Sequence, residues 1–335
     1  MRFKSIFLAI AKIMGGFRAA RQLTRRSIRI LCYHGTWLGR DGFRGDGMFM
    51  SADTFRARLD HLTVMGYPVI TLGTAVSELR DHRQIINAPV VITIDDGWYS
   101  TYADMLPELA RHCFPATLYC DSRHLESGAP VPHLMARYFR QLATTGEITK
   151  EAEERYQQAF DRELSTNERV AAAVAFGRQV GIDPEPYLEH RVFEYMTPVE
   201  LRTFATTTGF TVELHTHRHS MGDHSAEVIQ REVADNRAAL SRLLGSRPES
   251  FTHFCYPSGA FNRSDATHLR SVGVASATST QQGIVPPGAD IMLLPRILDG
   301  ENLSMLEFEA EISGFMHLLR KVTGRSRIGY DAPFS

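Results

Sequence analysis

The sequence predicts an α/β fold, a distorted (β/α) barrel of about seven to eight strands with a helical insertion; a doubly wound sheet is the alternative arrangement. Three observations carry that expectation. Extended segments rich in β-branched and aromatic residues recur along the chain, and helical stretches with start signals separate them, which calls for parallel pairing through helical crossovers. With 335 residues and 43% hydrophobic content, the chain can bury the core of one large domain or two ordinary ones. One run, Val90-Val91-Ile92-Thr93-Ile94, ends abruptly in Asp95-Asp96-Gly97, as a buried parallel strand does when its C-terminal tip carries chemistry.

In chain order, residues 1–26 come first and read as a basic amphipathic helix. Phe3, Ile6, Phe7, Ile10, Ile13, Met14 and Phe17 line one face, with Arg2, Lys4, Lys12, Arg18 and Arg21 mostly around it. The longest uncharged run, Ser5 to Ala11, is far shorter than the ~20 apolar residues of a membrane span. Lys12 interrupts the apolar region and no small-residue cleavage site follows, so the segment is also a poor secretory signal. Three readings stay open: a helix docked on the domain, a helix lying on an anionic membrane surface, or an atypical export signal.

Residues 27–335 form the barrel domain. Candidate strands are 28–33, 67–72, 90–94, 116–120, 211–215, 251–256, 274–278 and 291–297, each bounded by turn or helix signals. Among the helices, Thr197-Pro198-Val199-Glu200 has a capping-box form, and Ser225 opens a long helix that Gly245 closes. Residues 121–195 hold no convincing strand, only a charged helical run near 147–160 and an alanine-rich one near 170–176. This is read as a helical insertion on the catalytic rim, or else as a small helical unit with no part in substrate handling.

Net charge is −1, so the chain as a whole gives no electrostatic case for nucleic acid. The average hides an asymmetry, since eight Lys or Arg and no acid fall within residues 1–30. Cys32, Cys113, Cys120 and Cys255 lack zinc-type C-x-x-C spacing and read as small buried hydrophobes. Reduced thiols in a cytoplasmic protein are the simplest account; one disulfide, peripheral contact with the inner membrane face, and export all remain open.

The chemistry centres on two places. Side chains alternate along a strand, so Asp95 and Asp96 share a direction only if the chain turns there, and Gly97 permits that turn. After the strand near 211–215 comes His215-Thr216-His217-Arg218-His219. His215 and His219, at i and i+4, can share a metal on one face of a helical turn; an extended chain would pair His215 with His217 instead. With Asp96 they form a two-histidine, one-carboxylate set, leaving Asp95 free to take a proton.

These residues resemble motifs of the polysaccharide deacetylase family. Thr93-Ile94-Asp95-Asp96-Gly97 is similar to its Thr-Phe-Asp-Asp-Gly motif, and His215-Thr216-His217-Arg218-His219 to its His-[Ser/Thr]-x-x-His motif. Phe254-Cys255-Tyr256-Pro257-Ser258-Gly259 and Leu294-Pro295-Arg296-Ile297 resemble segments of the exopolysaccharide and poly-N-acetylglucosamine deacetylase branch. The resemblance, over roughly residues 28–299, implies Asp95 as general base and Asp96, His215 and His219 as ligands of a divalent metal. Zinc is the first expectation, with cobalt, nickel or ferrous iron as alternatives. It also implies an N-acetylated glycan as substrate and a groove wall of Tyr256, Pro257, Ser258 and Gly259, whose N–H groups help hold the oxyanion. The branch carries its general acid as a Tyr-His pair on the first strand, which Tyr33-His34 matches; His317 reads as incidental.

Three departures from the family pattern matter. Ile94 replaces the usual Phe, and Ser258 stands where Tyr is common. Cys255 occupies the place of an Arg that orients the catalytic Asp, a task Arg296 could take over, although it is grouped here with the substrate-contacting residues. Trp98 is read evenly as a platform for a sugar ring or as a core residue. The competing functions are a metal amidohydrolase using His215 and His217, a non-haem iron oxygenase, and a catalytically idle glycan-binding protein.

Overall fold

The computed structural model describes residues 2–39, 49–81, 87–143 and 148–324. Seven parallel strands close a barrel in sequence order: β1 (Arg29–Tyr33), β2 (Val90–Asp96), β3 (Ala116–Cys120), β4 (Phe210–Leu214), β5 (His253–Cys255), β6 (Ser276–Gln282) and β7 (Leu294–Leu298). The ring closes where Leu31 and Cys32 pair with Ile297 and Leu298. Every residue of β2 is buried, which explains its near-continuous β-branched run. Register then sets the working end of the barrel. Asp96 lies beside Cys120 and Cys120 beside Leu214, so the chain past Leu214 emerges level with the aspartates.

The expected strand at 67–72 does not form. Ile70 donates to the Val90 carbonyl and Val69 makes one isolated bridge to Val90, but Thr71 then caps a helix, Leu72–Arg80, through the Thr74 N–H. Pro68 has no N–H to extend a ladder, and the Thr71 hydroxyl favours helix initiation. The strand expected at 274–278 is displaced to Ser276–Gln282 and carries a register irregularity between Thr278 and Gln282. The capping box at Thr197 and the helix Ala226–Leu244, ended by Gly245 at φ 69°, form as the sequence indicates.

The interval 121–195 is helical, with Pro132–Leu142, Lys150–Gln158 and Thr166–Gln179 as its main elements. Its aromatic residues pack onto the barrel mouth: Trp37 lies 4.6 Å from Tyr138, and Tyr195 lies 4.5 Å from Trp98. At the N-terminus, helices Arg2–Ile13 and Gly16–Leu23 dock on the C-terminal helices through buried Leu8, Phe17 and Ala310, with Lys4 paired to Glu307 and Lys12 to Glu309. Phe3, Ile6, Ile10, Ile13 and Met14 remain exposed. Among the described residues, no helix is long and apolar enough to cross a membrane.

Candidate metal centre and active site

At the end of β2 the backbone turns through Asp96 at φ 75° and Gly97 at φ 112°. The left-handed conformation is costly for an aspartate, and it lets two consecutive carboxylates face the mouth of the barrel. Thr216 (φ 63°), His219 (φ 52°) and Ser258 (φ 53°) share that conformation, so backbone strain recurs in the loops that carry the site.

Asp96 Oδ1 lies 3.4 Å from His215 Nε2 and 3.5 Å from His219 Nε2. That oxygen is buried and has no hydrogen-bond partner. Donor atoms held tetrahedrally around a metal at 2.0–2.1 Å stand about 3.4 Å apart, so the spacing fits a shared cation, and the orphaned oxygen gives it a reason. His215 Nδ1 donates to the Cys255 carbonyl at 2.9 Å, which fixes the tautomer with Nε2 presented to the site. Asp96 Oδ2 accepts from Trp98 Nε1 at 2.9 Å. Burial pushes the Asp96 carboxyl up, but the His215 imidazole 3.4 Å away, with His34 and His219, brings it well below the usual carboxylate range. His217 does not join the cluster, because its Nδ1 is 2.9 Å from Ser122 Oγ.

Asp95 is held differently. Arg296 Nη1 and Nη2 donate to its two oxygens, each at 2.7 Å, and both side chains are buried. The Cys32 and Cys255 thiols also approach Asp95 Oδ2, at 3.6 and 3.5 Å; all four cysteines are free. Burial alone would raise the Asp95 pKa; the Arg296 charge and hydrogen bonds, with His215 and His34, lower it to about 2. His34 Nε2 stands 4.0 Å from Asp95 Oδ2, and its side chain is 31% exposed at the mouth.

Three sequence expectations need correction. Arg296 is fully buried beneath Asp95, so it positions that carboxylate and does not reach a substrate. Trp98 is 2% exposed, packs against Phe49 and Tyr195, and serves Asp96 through its indole N–H, so it offers no sugar platform. In the third motif Tyr256 is buried with its hydroxyl donating to the Met292 carbonyl, and Pro257 and Gly259 are buried too, leaving Ser258 as the exposed residue. The Gly259 and Ala260 N–H groups bond carbonyls of their own loop, which narrows the expected N–H cradle to Ser258. A Cβ on Gly259 would sit 1.9 Å from Thr280 Oγ1, so only glycine fits there.

Several residues that organise the site escaped sequence reasoning. Asn236 accepts from the His215 N–H and donates to the Cys120 carbonyl and Ser122 Oγ. Glu232 accepts the N–H groups of His217 and Arg218. Both interrupt the buried stripe of helix Ala226–Leu244 (Ile229, Val233, Ala239, Leu240), and a polar break in an apolar stripe is the signal that could have found them. His124, in the short helix Ser122–Ser127 that follows β3, bonds Asp121 at 2.7 Å and stacks 4.9 Å from Tyr195. It lines the same cavity as His219 and the insertion residues His133 and Arg169, so the insertion does border the site.

The family model for polysaccharide deacetylases matches residues 85–277, more than half of the chain. The chain belongs to the polysaccharide deacetylase family. It is therefore an enzyme that removes acetyl groups from a polysaccharide. No curated protein matches the sequence significantly. Similar solved structures include the Streptococcus pyogenes deacetylase PplD in complex with acetate, with 16% identity and TM-score 0.60 over 86% of this chain and 99% of that one. IcaB from Ammonifex degensii shows 16% identity and TM-score 0.56 over 86% and 97% of the two chains. The deacetylase domain of BpsB from Bordetella bronchiseptica shows 16% identity and TM-score 0.52 over 82% and 96%. At such identity these likenesses speak to the fold. The family match includes both aspartates and both histidines but neither His34, which lies 4.0 Å from Asp95, nor Arg296, which is bonded to it.

Proposed function

We propose that this deacetylase hydrolyses the carbon–nitrogen bond of N-acetyl groups on amino sugars, in a polysaccharide or glycan precursor, with the help of a divalent metal. The observation that carries the reading is the separation of the two carboxylates, Asp96 turned to the two histidines and Asp95 clamped by Arg296. Asp96, His215 and His219 would hold the ion, zinc in the first place. Bound there, it would supply Lewis-acid polarisation of the acetyl carbonyl and make a water acidic near neutral pH. Asp95, ionised because Arg296 keeps its pKa low, takes the proton of the attacking water. The water oxygen adds to the acetyl carbon, the carbon–nitrogen bond breaks, and His34 delivers a proton to the departing amine. Ser258, at the exposed corner of its loop, is the residue whose N–H can face the acyl oxygen. Metal-loaded protein should release acetate from chitooligosaccharides or acetylated glucosamine polymers, and His34→Ala should lower the rate by about 10²–10⁴. Release from neither substrate class, under loading with zinc, cobalt, nickel or ferrous iron, would overturn the reading.

The exposed ridge of Phe3, Ile6, Ile10, Ile13 and Met14 favours a second partner, an anionic bilayer surface. Arg18 and Arg25 line a neighbouring cavity of 1120 Å³ beside Ile13, supplying positive charge next to the apolar face. Co-sedimentation with phosphatidylglycerol-rich vesicles should be lost in an Ile6→Glu/Ile13→Glu variant; equal sedimentation of parent and variant would exclude the contact.

A further inference from the structure

A cavity of 920 Å³ opens beside the metal ligands, with His219 in its wall. Its size suits a small-molecule or sugar-unit site. One side is the loop after β4 with the start of helix Ala226–Leu244; the other is the helical insertion, through His133, Arg162 and Arg169. The lining is strongly basic. Arg123, Arg162, Arg169, Arg218 and Arg231 stand against two carboxylates, Glu232 and Asp223.

Those carboxylates do not balance the charge. Glu232 is occupied by the Arg218 guanidinium at 2.6 Å and by two backbone N–H groups, and Asp223 accepts the Ser225 N–H at 3.0 Å. Among the described residues, Arg218 is the lining arginine with ion-pair partners; Arg123, Arg162, Arg169 and Arg231 have none. Arg169 is part-buried, and burial together with the charges of Arg123 and Arg162 lowers its pKa. It also stands at the fourth residue of helix Thr166–Gln179, near the end whose dipole disfavours a cation. Nearby His133 is pushed down to about 4, by burial first and then by His124 and Arg169. Arg169 Nε donates to the Ala159 carbonyl at 3.2 Å. What these crowded guanidiniums lack is a carboxylate partner among the described residues, and such a set around a concavity is what recognition of an oxoanion requires.

We propose that this cavity holds an anionic group of the glycan, a phosphate or a uronic-acid carboxylate, carried next to the acetamido sugar that is hydrolysed. The proposal rests on the N-deacetylase reading and adds a substrate class to it: an acidic glycan. The insertion then selects substrate by charge, while the barrel end performs the hydrolysis.

The test compares metal-loaded protein on three oligomers. These are neutral chitotetraose, a tetrasaccharide alternating N-acetylglucosamine with glucuronic acid, and a chitooligosaccharide bearing a terminal phosphate. At least one acidic oligomer should exceed chitotetraose in kcat/KM by about tenfold or more, mainly through KM, and lose that advantage as salt rises. Whichever acidic oligomer leads identifies the source of the anion. Arg162→Gln/Arg169→Gln should bring the acidic oligomers down to the level of the neutral one. A parent that prefers chitotetraose, or a double variant that keeps the acidic preference, would overturn the proposal while leaving N-deacetylation intact. If no oligomer releases acetate, the catalytic reading has failed, and calorimetric titration with the two acidic oligomers decides separately. Binding that the double variant loses supports the anion site, and no binding overturns it.

Discussion

Replacing Arg296 with Met probes the clamp on Asp95 with little change in volume. The substitution removes two 2.7 Å charge-assisted hydrogen bonds to a carboxylate that is 2% exposed, and it strands that carboxylate in a buried site. Breaking a buried pair from one side costs about 3–5 kcal/mol. In the parent, the Asp95 pKa is lowered to about 2 from its usual 3.8. The pair's stabilisation is therefore present above pH 3.8 and is lost as the pH falls through about 2. Without Arg296, burial dominates and the carboxyl rises, each unit being worth about 1.36 kcal/mol. Three readouts follow. Denaturant unfolding at neutral pH should show the loss of about 3–5 kcal/mol. The acid limb of the acetate-release profile should move to higher pH, and metal content should be unchanged because Asp96, His215 and His219 would hold the ion and Arg296 is bonded to Asp95. Asp95→Asn/Arg296→Met should recover part of the lost stability, giving a coupling energy between the two sites. An Arg296→Met protein within about 1 kcal/mol of the parent, with full turnover and an unmoved acid limb, would refute the clamp.

Two further predictions concern the surroundings. Trp98→Phe keeps the ring contacts with Phe49 and Tyr195 but removes the N–H that steadies Asp96 Oδ2, so competition with a chelator should show metal affinity weakened by about 10–100-fold; unchanged affinity would mean the indole only fills space. The Glu307 pKa is lowered to about 2, first by the hydrogen bond from Lys4 and, against burial, by the Ser304 hydroxyl and N–H. Docking of the N-terminal helix is thus stabilised above pH 4.5 and loses that support as the pH falls toward 2, by about 1 kcal/mol once the half-exposure of Lys4 is allowed for. Acid unfolding of Lys4→Met should flatten across that window, and a curve superimposed on the parent's would remove the role of the pair.

The barrel was legible where burial and composition coincide. The β-branched run at 90–94 could only be a strand buried on both faces, and the carboxylates after it mark its tip. The histidine pair was legible because i and i+4 spacing survives as a turn even outside a helix. Residues 67–72 misled because their apolar pattern is shared by a short extended approach to Val90 and a capped helix, and the Thr71 hydroxyl decides between them. The substrate-contacting readings of Trp98 and Arg296 fail for a common reason: exposure is set by what packs above a residue. The core reading of Trp98 and the Asp95-orienting reading of Arg296 hold. Phe49 and Tyr195 cover Trp98 from 49 and 97 positions away in the chain. Arg296 meets Asp95 across 201 positions, a pairing that the family resemblance suggested and no local pattern encodes. Asn236 and Glu232 left a faint trace, as polar breaks in an apolar helical stripe.

The central claim is that neighbouring aspartates divide the work, Asp96 on the cation and Asp95 on the proton. Metal content and acetate release measured together on Asp95→Asn and Asp96→Asn test it most directly. The account predicts that Asp95→Asn keeps its metal and loses acetate release by about 10²–10⁴, whereas Asp96→Asn loses metal and activity together. Loss of metal from Asp95→Asn with retention in Asp96→Asn would contradict it and exchange the two roles.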